Sequence, residues 1–234
     1  MPIRLNKHLV DIGTCSRREA DRLMEAGRIL VNGERATVGM KIEGTEEITL
    51  DGKVLVPVTK KVYIAYHKPI GIICTSDPKA DDNIIDAIGY PERLFHIGRL
   101  DVASSGLILL TNDGDIVNRI LRAETQHEKE YLVRVNKRLR DSALEHMQEG
   151  MFIEGDDRKT LPAYVEQINN NTFLITIIEG RNRQIRKMCE AEGYEVLQLR
   201  RERVMHITLE NLPVGHWRHL TPDEEQKLIR STHT

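Results

Sequence analysis

The chain contains 234 residues, of which 40% are hydrophobic and 30% are charged. This length accommodates one large core or two smaller domains, and the composition is that of a soluble globular protein, which excludes a disordered chain. No uninterrupted apolar run approaches the ~20 residues that a membrane helix requires. The segment from Met1 to Val10 lacks the pattern of a signal peptide, so we expect a cytoplasmic protein with no membrane partner.

The cysteines and histidines do not form a recognisable framework. The three cysteines, Cys15, Cys74 and Cys189, are far apart, and their odd number argues against a set of disulfides. None of the nine histidines has a second ligand at a spacing typical of zinc, so we expect no metal. The chain also lacks a glycine-rich phosphate loop and a dinucleotide fingerprint, so we expect no cofactor.

The distribution of charge is more informative than its sum. The formal net charge of −2 gives no sign of a nucleic-acid partner. Residues 181–187, however, contain four basic side chains and no acid, and residues 200–203 form a second basic cluster. Since RNA binding requires only one basic face, these clusters keep an RNA partner open.

The first fifty residues predict two helices and two hairpins. Leu5, Leu9 and Ile12 recur at helical spacing, and Ser16 with Glu19 has the pattern of a capping box that opens a second helix. Asn-Gly at 32–33 and Asp-Gly at 51–52 each separate two short apolar runs, which is the strongest local indication of a hairpin. A short polar stretch follows, and we place a linker at 59–61.

Two arginines lie in the first turn of the second predicted helix. Cations at Arg17 and Arg18 oppose the helix dipole, at a cost of roughly 0.3–1 kcal/mol each. A phosphate bound at that end of the helix would reverse the effect. Two solvated arginines that tolerate a small penalty explain the pattern equally well, so the residues alone leave both interpretations open.

The rest of the chain predicts alternating strands and helices. We expect strands at 62–66, 107–110, 127–135, 163–168 and 172–179, and helices around 116–121, 143–147, 185–189 and 221–229. The first strand should end in a turn over 67–71. The strand at 172–179 is apolar on both faces, which predicts a central position in the sheet. Thr221 and Glu224 have the capping-box pattern of the last helix.

One loop stands out among these elements. Asp101 lies beside Arg99, between Gly98 and Gly106, and an apolar strand follows directly. The glycines allow tight backbone bends, so the pattern predicts a carboxylate held on a constrained loop at the edge of a sheet. An aspartate that only caps a surface turn explains the same pattern, and it is the commoner case.

The segments 98–101, 104–107 and 111–114 resemble the signature of RNA pseudouridine synthases, and more narrowly of the RsuA/RluF group. The resemblance implies that Asp101 is the catalytic residue. Many relatives have an acid where this chain has Ala103, so the resemblance does not extend to a supporting role for that acid. Residues 68–71 are similar to the first motif of the same enzymes, where the motif is largely structural.

Two further residues follow from the same resemblance. Tyr131 lies on a predicted strand and by itself would be an ordinary core residue. The Lys129-x-Tyr131 pattern resembles the family's tyrosine motif, in which the ring stacks on the target uracil and its oxygen serves proton transfer. The run 181–187 resembles the third motif, which implies that Arg186 pairs with Asp101. Its Asn-Arg-Gln form fits the RluF branch.

The N-terminal segments 4–7, 16–20 and 31–33 resemble the small RNA-binding domain named after a ribosomal small-subunit protein. The resemblance implies contacts between RNA phosphates and basic side chains of the first helices. We therefore predict RNA contacts in this half of the chain at Arg4, Lys7, Arg17, Arg18 and Arg22. In the other half we predict them at Arg99, Arg181, Arg183 and Lys187.

Together these patterns predict an α+β protein with two domains: a small N-terminal helix-hairpin RNA-binding domain at 1–58, and a larger synthase domain at 62–234 with a mixed, mainly antiparallel sheet flanked by helices. The resemblance implies isomerisation of uridine to pseudouridine in ribosomal RNA, with the large subunit favoured and small-subunit or transfer RNA as alternatives. We expect the protein to be a monomer. The target base would be extruded. Asp101 would attack the sugar or abstract a proton. A non-catalytic ribosome-assembly factor and a nucleoside hydrolase are the competing hypotheses.

Overall fold

The computed structural model describes residues 2–56, 60–77, 79–120 and 127–231. The chain divides into two compact units. The first consists of Met1–Val62, Tyr90–Phe95 and Thr111–Asp115, and the second consists of Tyr63–Gly89, His96–Leu110 and Ile116–Thr234. The predicted domains 1–58 and 62–234 differ from these units in the two short inserted segments and in Val62, which belongs to the first unit, and their boundaries stay a prediction. The predicted linker at 59–61 starts outside the described residues.

Residues 2–56 form helices and short strands around one apolar core. The elements are β1 (Ile3–Arg4), α1 (Leu5–Asp11), α2 (Arg17–Glu25), β2 (Ile29–Val31), β3 (Glu34–Arg35), β4 (Lys41–Ile42), β5 (Ile48–Leu50) and β6 (Lys53–Val54). Strand β1 pairs with β4, and the other strands form a sheet in the order β3-β2-β5-β6. The two helices bury Leu5, Leu9, Leu23 and Met24 against Ile29 of the sheet.

Both predicted hairpins are present. Asn32 and Gly33 have φ angles of 50° and 82°, and Asp51 and Gly52 have 52° and 77°, as a two-residue turn between twisted strands requires. The predicted capping box of α2 is half formed. The Ser16 Oγ accepts a hydrogen bond from the Glu19 N–H at 3.2 Å, but the Glu19 carboxylate faces Arg22 instead.

The second unit is built on a large mixed sheet. The strands of this part of the chain are β7 (Tyr63–Lys68), β8 (Phe95–Ile97), β9 (Ser105–Thr111), β10 (Lys129–Val135), β11 (Tyr164–Asn169), β12 (Thr172–Ile177), β13 (Val196–Val204), β14 (Ile207–Thr208) and β15 (Trp217–His219). The order is β11-β12-β10-β13-β9-β7-β15, with β14 on β13 and β8 on β9. Strand β9 is parallel to β13, whereas β10–β12, β10–β13, β11–β12, β13–β14 and β7–β15 are antiparallel.

Helices accompany this sheet: α3 (Ile84–Ile88), α4 (Gly114–Ile120), α5 (Asp141–Glu149), α6 (Gln184–Ala191) and α7 (Pro222–Arg230). Ile116 and Ile120 of α4 and Leu228 of α7 share a buried cluster with Leu107 and Leu109 of β9. The capping box of α7 is complete. Leu121, predicted to extend the apolar stripe of α4, lies outside the described residues. The α+β class and the mixed, mainly antiparallel sheet are confirmed.

Two details of the sheet differ from the sequence predictions. Strand β12 has a neighbour on each side, but it is second from the edge and not central. Strand β7 continues through Lys68, where we expected a turn. The reason is a distant partner: the His67 N–H donates to the His216 carbonyl at 3.0 Å, and the Gly215 N–H donates to the His67 carbonyl at 2.9 Å. None of the helices within the described ranges has both the length and the apolar content needed to cross a bilayer.

Candidate active site

The loop that holds Asp101 lies between β8 and β9 and is fixed at several points. The Ser104 N–H donates to the Asp101 carbonyl at 3.0 Å, and the Leu100 N–H donates to the Cys74 Sγ at 3.4 Å. Gly98, with φ of 74°, makes the bend before it. The Asp101 side chain keeps 33% of its surface exposed. The loop therefore presents a carboxylate to solvent on a constrained backbone.

Arg186 of α6 reaches this loop from the far end of the chain. Its Nη2 donates to the Ala103 carbonyl at 2.8 Å and to the Ser104 Oγ at 3.1 Å, and its Nη1 donates to the Val196 carbonyl at 3.4 Å. Its Nε lies 3.9 Å from the Asp101 Oδ2 and has no hydrogen-bond partner among the described residues. The structure thus brings Asp101 and Arg186 together. Ala103 contributes its backbone carbonyl, so no acid is required at that position for this contact.

Burial affects the charge of Arg186 without neutralising it. Desolvation lowers the pKa of the guanidinium, Arg183 adds to this effect, and Asp101 opposes it. Arginine starts from so high a pKa that it remains protonated at neutral pH. Asp101 therefore has a permanent cation beside it. The distance from the Arg186 Nε to the carboxylate is only slightly longer than a hydrogen bond.

Tyr131 lies on β10 and pairs across the sheet with Arg201 of β13. Arg201 pairs in turn with Gly106 of β9. The Arg201 guanidinium carbon lies 5.9 Å from the centroid of the Tyr131 ring. Since one strand separates β10 from β9, Tyr131 and Gly106 are about 10 Å apart across the sheet. Tyr131 is thus connected to the strand that follows the Asp101 loop through Arg201.

Two lysines, the buried Lys68 and the half-buried Lys129, accompany these residues, and neither was predicted as a site residue. Lys68, at the end of β7, is completely buried, and its Nζ donates to the Pro69 carbonyl at 2.7 Å. Burial lowers the pKa of Lys68, an effect that Cys74 and Asp101 oppose and Arg201 reinforces. Burial also lowers the pKa of Lys129, and Arg201 again adds to the effect. Arg186 and Lys68 therefore both interact with Asp101, and Arg201 interacts with the two lysines.

A groove adjoins Arg186 on α6. It has a volume of about 490 Å³, and Arg183, Asn136 and Glu195 line it together with Arg186. Arg183 is the residue before α6 and has φ of 53°, in the left-handed region that a side chain rarely adopts. Its guanidinium is 44% exposed and lies 3.7 Å from Glu190. Arg183 therefore keeps a largely accessible cation at the rim of the groove.

Arg181 is partly exposed, and its guanidinium has several partners within the chain. Its Nε donates to Glu179 at 3.0 Å, its Nη1 to Asp156 at 2.8 Å and to the Arg158 carbonyl, and its Nη2 to the Lys159 carbonyl at 2.6 Å. Intrachain acceptors thus occupy the fork of the guanidinium and hold the 156–159 segment, which favours a structural role for Arg181, and an RNA contact at Arg181 stays a prediction. No local sequence pattern reveals these acceptors.

The other predicted RNA-binding residues are more accessible, with two exceptions. Exposed positions are occupied by Arg4, Arg17, Arg18, Arg22 and Arg99. Lys7 is only half-buried but its Nζ bonds to Asp11 at 2.7 Å and to Asp115 at 2.8 Å. Partial burial lowers the pKa of Lys7, but the two carboxylates outweigh this effect, so the pKa is raised. The Lys187 Nζ donates to the Glu154 carbonyl at 2.8 Å.

The chain matches two family models. The model described as RNA pseudouridylate synthase matches residues 62–191, which is more than half of the chain. The chain belongs to the RNA pseudouridylate synthase family. The model described as the S4 domain matches residues 3–48, so this synthase has an N-terminal RNA-binding domain of the kind that the sequence predicted.

Individual relatives identify the type of synthase. The chain is 46% identical over 224 residues to the dual-specificity RNA pseudouridine synthase RluF of Escherichia coli O6:H1, with 95% of this chain and 77% of that protein covered. It is 36% identical to the ribosomal large subunit pseudouridine synthase B of Bacillus subtilis, with 96% and 95% covered. A crystal structure of a pseudouridylate synthase superposes with a TM-score of 0.72 at 31% identity, covering 97% of this chain and 99% of that one. The chain is thus a pseudouridine synthase of the RluF/RsuA type that acts on RNA.

Proposed function

We propose that this synthase isomerises uridine to pseudouridine in large-subunit ribosomal RNA, with Asp101, Tyr131 and Arg186 as catalytic residues. The observation on which the proposal depends is the ion pair of 3.9 Å between Arg186 and Asp101 on a partly exposed loop. The carboxylate must be ionised to react, and the buried guanidinium favours that form. An aspartate that only capped a turn would not need a buried cation beside it.

The chemistry requires no external group. The bond between uracil N1 and the sugar C1′ breaks, the base turns, and a bond between C5 and C1′ forms. The C5 proton is lost, and N1 gains a proton, so that the atoms balance. Asp101 either attacks C1′ or abstracts the proton of the neighbouring sugar carbon, and both alternatives use the ionised carboxylate. Tyr131 would take part in removing the C5 proton.

The target uridine must leave the base stack to reach Asp101. We propose that the enzyme extrudes it, at a cost of a few kcal/mol, and that stacking on the Tyr131 ring offsets part of this cost. The distance of about 10 Å across the sheet between Tyr131 and Gly106 is compatible with a planar base between the ring and the Asp101 loop. Contacts with phosphates would then come from Arg4, Lys7, Arg17, Arg18, Arg22, Arg99, Arg183 and Lys187.

The choice of RNA rests on the relatives. The Bacillus subtilis relative is described as a large-subunit enzyme, whereas the RluF relatives are described as having dual specificity. We therefore propose large-subunit ribosomal RNA as the main substrate, and small-subunit and transfer RNA as the alternatives to be measured. Such a substrate places the enzyme in the cytoplasm, and we propose that it acts as a monomer.

Release of tritium from uracil labelled at C5 tests the function, since the label leaves only when C5 becomes attached to the sugar. Ribosomal RNA should release tritium with the unaltered protein. Asp101→Asn should reduce the rate at least about 1,000-fold while the Kd for RNA changes less than about twofold. Asp141→Asn, at an exposed position in α5, is the matched control and should keep the full rate.

Two outcomes would contradict the proposal. RNA binding without tritium release in the unaltered protein would favour a non-catalytic assembly factor. Undiminished turnover in Asp101→Asn would remove Asp101 from the mechanism. Mapping pseudouridines in the RNA of cells that lack the protein would then identify the modified nucleotide, and a change confined to transfer RNA would contradict the ribosomal substrate.

A further inference from the structure

Arg201 is a buried cation that the proposed mechanism does not use. Only 3% of the residue is exposed, and its Nε donates to the Leu107 carbonyl at 2.6 Å. Its Nη2 is buried and has no hydrogen-bond partner among the described residues. Within the same ranges, no carboxylate forms an ion pair with its guanidinium. An isolated buried charge is costly, so a purely structural role would be served better by an apolar side chain.

The ring of Tyr131 and two lysines lie near Arg201. The Tyr131 ring lies 5.9 Å from the guanidinium carbon. Lys68 and Lys129 are close enough for Arg201 to disfavour their charged forms. Lys68 also interacts with Asp101, which has Arg186 beside it, so Arg201 belongs to a group of basic side chains that extends from the Tyr131 ring to the Asp101 loop. Such a site is complementary to a ligand that becomes negatively charged.

The backbone fixes Arg201 between the two halves of the site. It pairs with Tyr131 on one side and with Gly106 on the other. A Cβ on Gly106, which has φ of 114°, would lie 2.3 Å from the Arg201 carbonyl oxygen and 2.4 Å from its nitrogen. The close approach is possible only with glycine, and it sets the position of the guanidinium relative to both the tyrosine ring and the strand after the Asp101 loop.

We propose that Arg201 is a positioning residue that holds the Tyr131 ring and supplies positive charge behind it, so that the uracil on the ring can leave the sugar as an anion. The proposal rests on the proposed function. When the N1–C1′ bond breaks, its electron pair stays with N1. The electron deficiency that remains at C1′ is relieved by attack of Asp101 or by loss of a proton from the neighbouring sugar carbon. The negative uracil persists until C5 bonds to C1′. A preorganised cation stabilises this charge without reorganisation.

Two substitutions separate charge from packing. Arg201→Gln removes the charge and keeps a donor for the Leu107 carbonyl, and Arg201→Lys keeps the charge. We expect kcat to fall about 10- to 100-fold in R201Q with KM changed less than about twofold, and R201K to recover most of the loss. Circular dichroism and the Tm show that the variants are folded. Arg218→Met is the control: it removes an ion pair between β15 of the same sheet and Glu224 of α7, so it should lower the Tm but keep kcat.

RNA that contains 5-fluorouridine provides the decisive measurement. Fluorine stabilises negative charge on the uracil, so the single-turnover rate of N1–C1′ cleavage should depend less on Arg201 with this RNA than with ordinary RNA. We expect the deficit of R201Q to shrink at least about threefold. The proposal would be overturned if R201Q lost the same factor in cleavage rate with both RNAs. It would also be overturned if R201Q and R201K had equally reduced kcat values, or if R201Q kept the full rate. Absence of cleavage in the unaltered protein would instead reject the proposed function.

Discussion

The Nε of Arg186 lies 3.9 Å from the Oδ2 of Asp101, although the two residues are separated by 85 positions in the sequence. The remaining nitrogens of Arg186 bond to the Ala103 carbonyl, the Ser104 hydroxyl and the Val196 carbonyl. One guanidinium therefore both fixes the loop and provides the counter-charge of its carboxylate. The two functions can be separated by substitution.

Arg186→Met should lower kcat by about 100-fold or more, because it removes both the counter-charge and the bonds to the loop. Arg186→Lys keeps the charge but cannot bond to several acceptors in the plane of a guanidinium, so its kcat should be intermediate. Tritium release measures both rates. Equal kcat values for the two variants would show that the charge beside Asp101 is unimportant.

Gly106→Ala should destabilise the protein by more than about 2 kcal/mol, because its Cβ would overlap the backbone of Arg201. Gly215→Ala is the matched control. It has φ of 77° but open space around the added atom, so it should cost only about 1 kcal/mol of backbone strain. Urea unfolding measures both changes. Equal losses would mean that β9 and β13 separate easily at this point.

Arg17→Ala combined with Arg18→Ala should weaken RNA binding most at low salt. If each arginine contacts one phosphate, the slope of log Kd against log salt should decrease by about 1 to 2. Lys53→Ala, which removes an exposed cation from the same unit, should leave the slope unchanged. A loss of affinity that is the same at every salt concentration would instead indicate a disturbed fold in this unit.

Arg181 and Arg183 should behave in opposite ways although they are two positions apart. Arg181→Met breaks the contacts with Glu179 and Asp156 and should lower the Tm, with the RNA affinity of the folded protein kept. Arg183→Gly removes an exposed cation from a left-handed position and should weaken RNA binding, while the free energy of unfolding is unchanged or raised by up to about 1 kcal/mol. Reduced RNA affinity in R181M at full stability would contradict this assignment.

Lys68 should make stability depend on pH. Burial lowers its pKa below the ordinary value of 10.5, so the unfolded chain binds more protons between the two values. Stability contributed by this site therefore increases as the pH rises from the lowered pKa towards 10.5. Lys68→Met lacks the titrating group, so its free energy of unfolding relative to that of the unaltered protein should fall over this range. A constant difference from pH 7 to 10 would contradict the lowered pKa.

Local patterns predicted the elements whose causes are local. The two hairpins follow from Asn32-Gly33 and Asp51-Gly52, because these residues adopt the left-handed angles of the turn themselves. The capping box at Thr221 and Glu224 is likewise a contact between near neighbours. In these cases the sequence contains both the donor and the acceptor within a few residues.

Features that depend on distant partners were missed or misplaced. Lys68 was assigned to a turn because the 215–216 segment that extends β7 lies almost 150 positions later. Arg201 appeared only as a member of a basic cluster, since nothing near it in sequence indicates that β9 and β10 cover it. The resemblance to a family supplied Asp101, Tyr131 and Arg186, whereas the buried cations around them became visible only from the packing.

The parallel pairing of β9 with β13 also bears on the order of assembly during synthesis. The Asp101 loop emerges from the ribosome long before Arg186 and Arg201, which lie 85 and 100 positions later. Contacts of such long range form late and slowly. A nascent chain that ends before residue 186 therefore has the Asp101 loop without Arg186 and Arg201, and the ion pair of Asp101 cannot form until α6 has been synthesised.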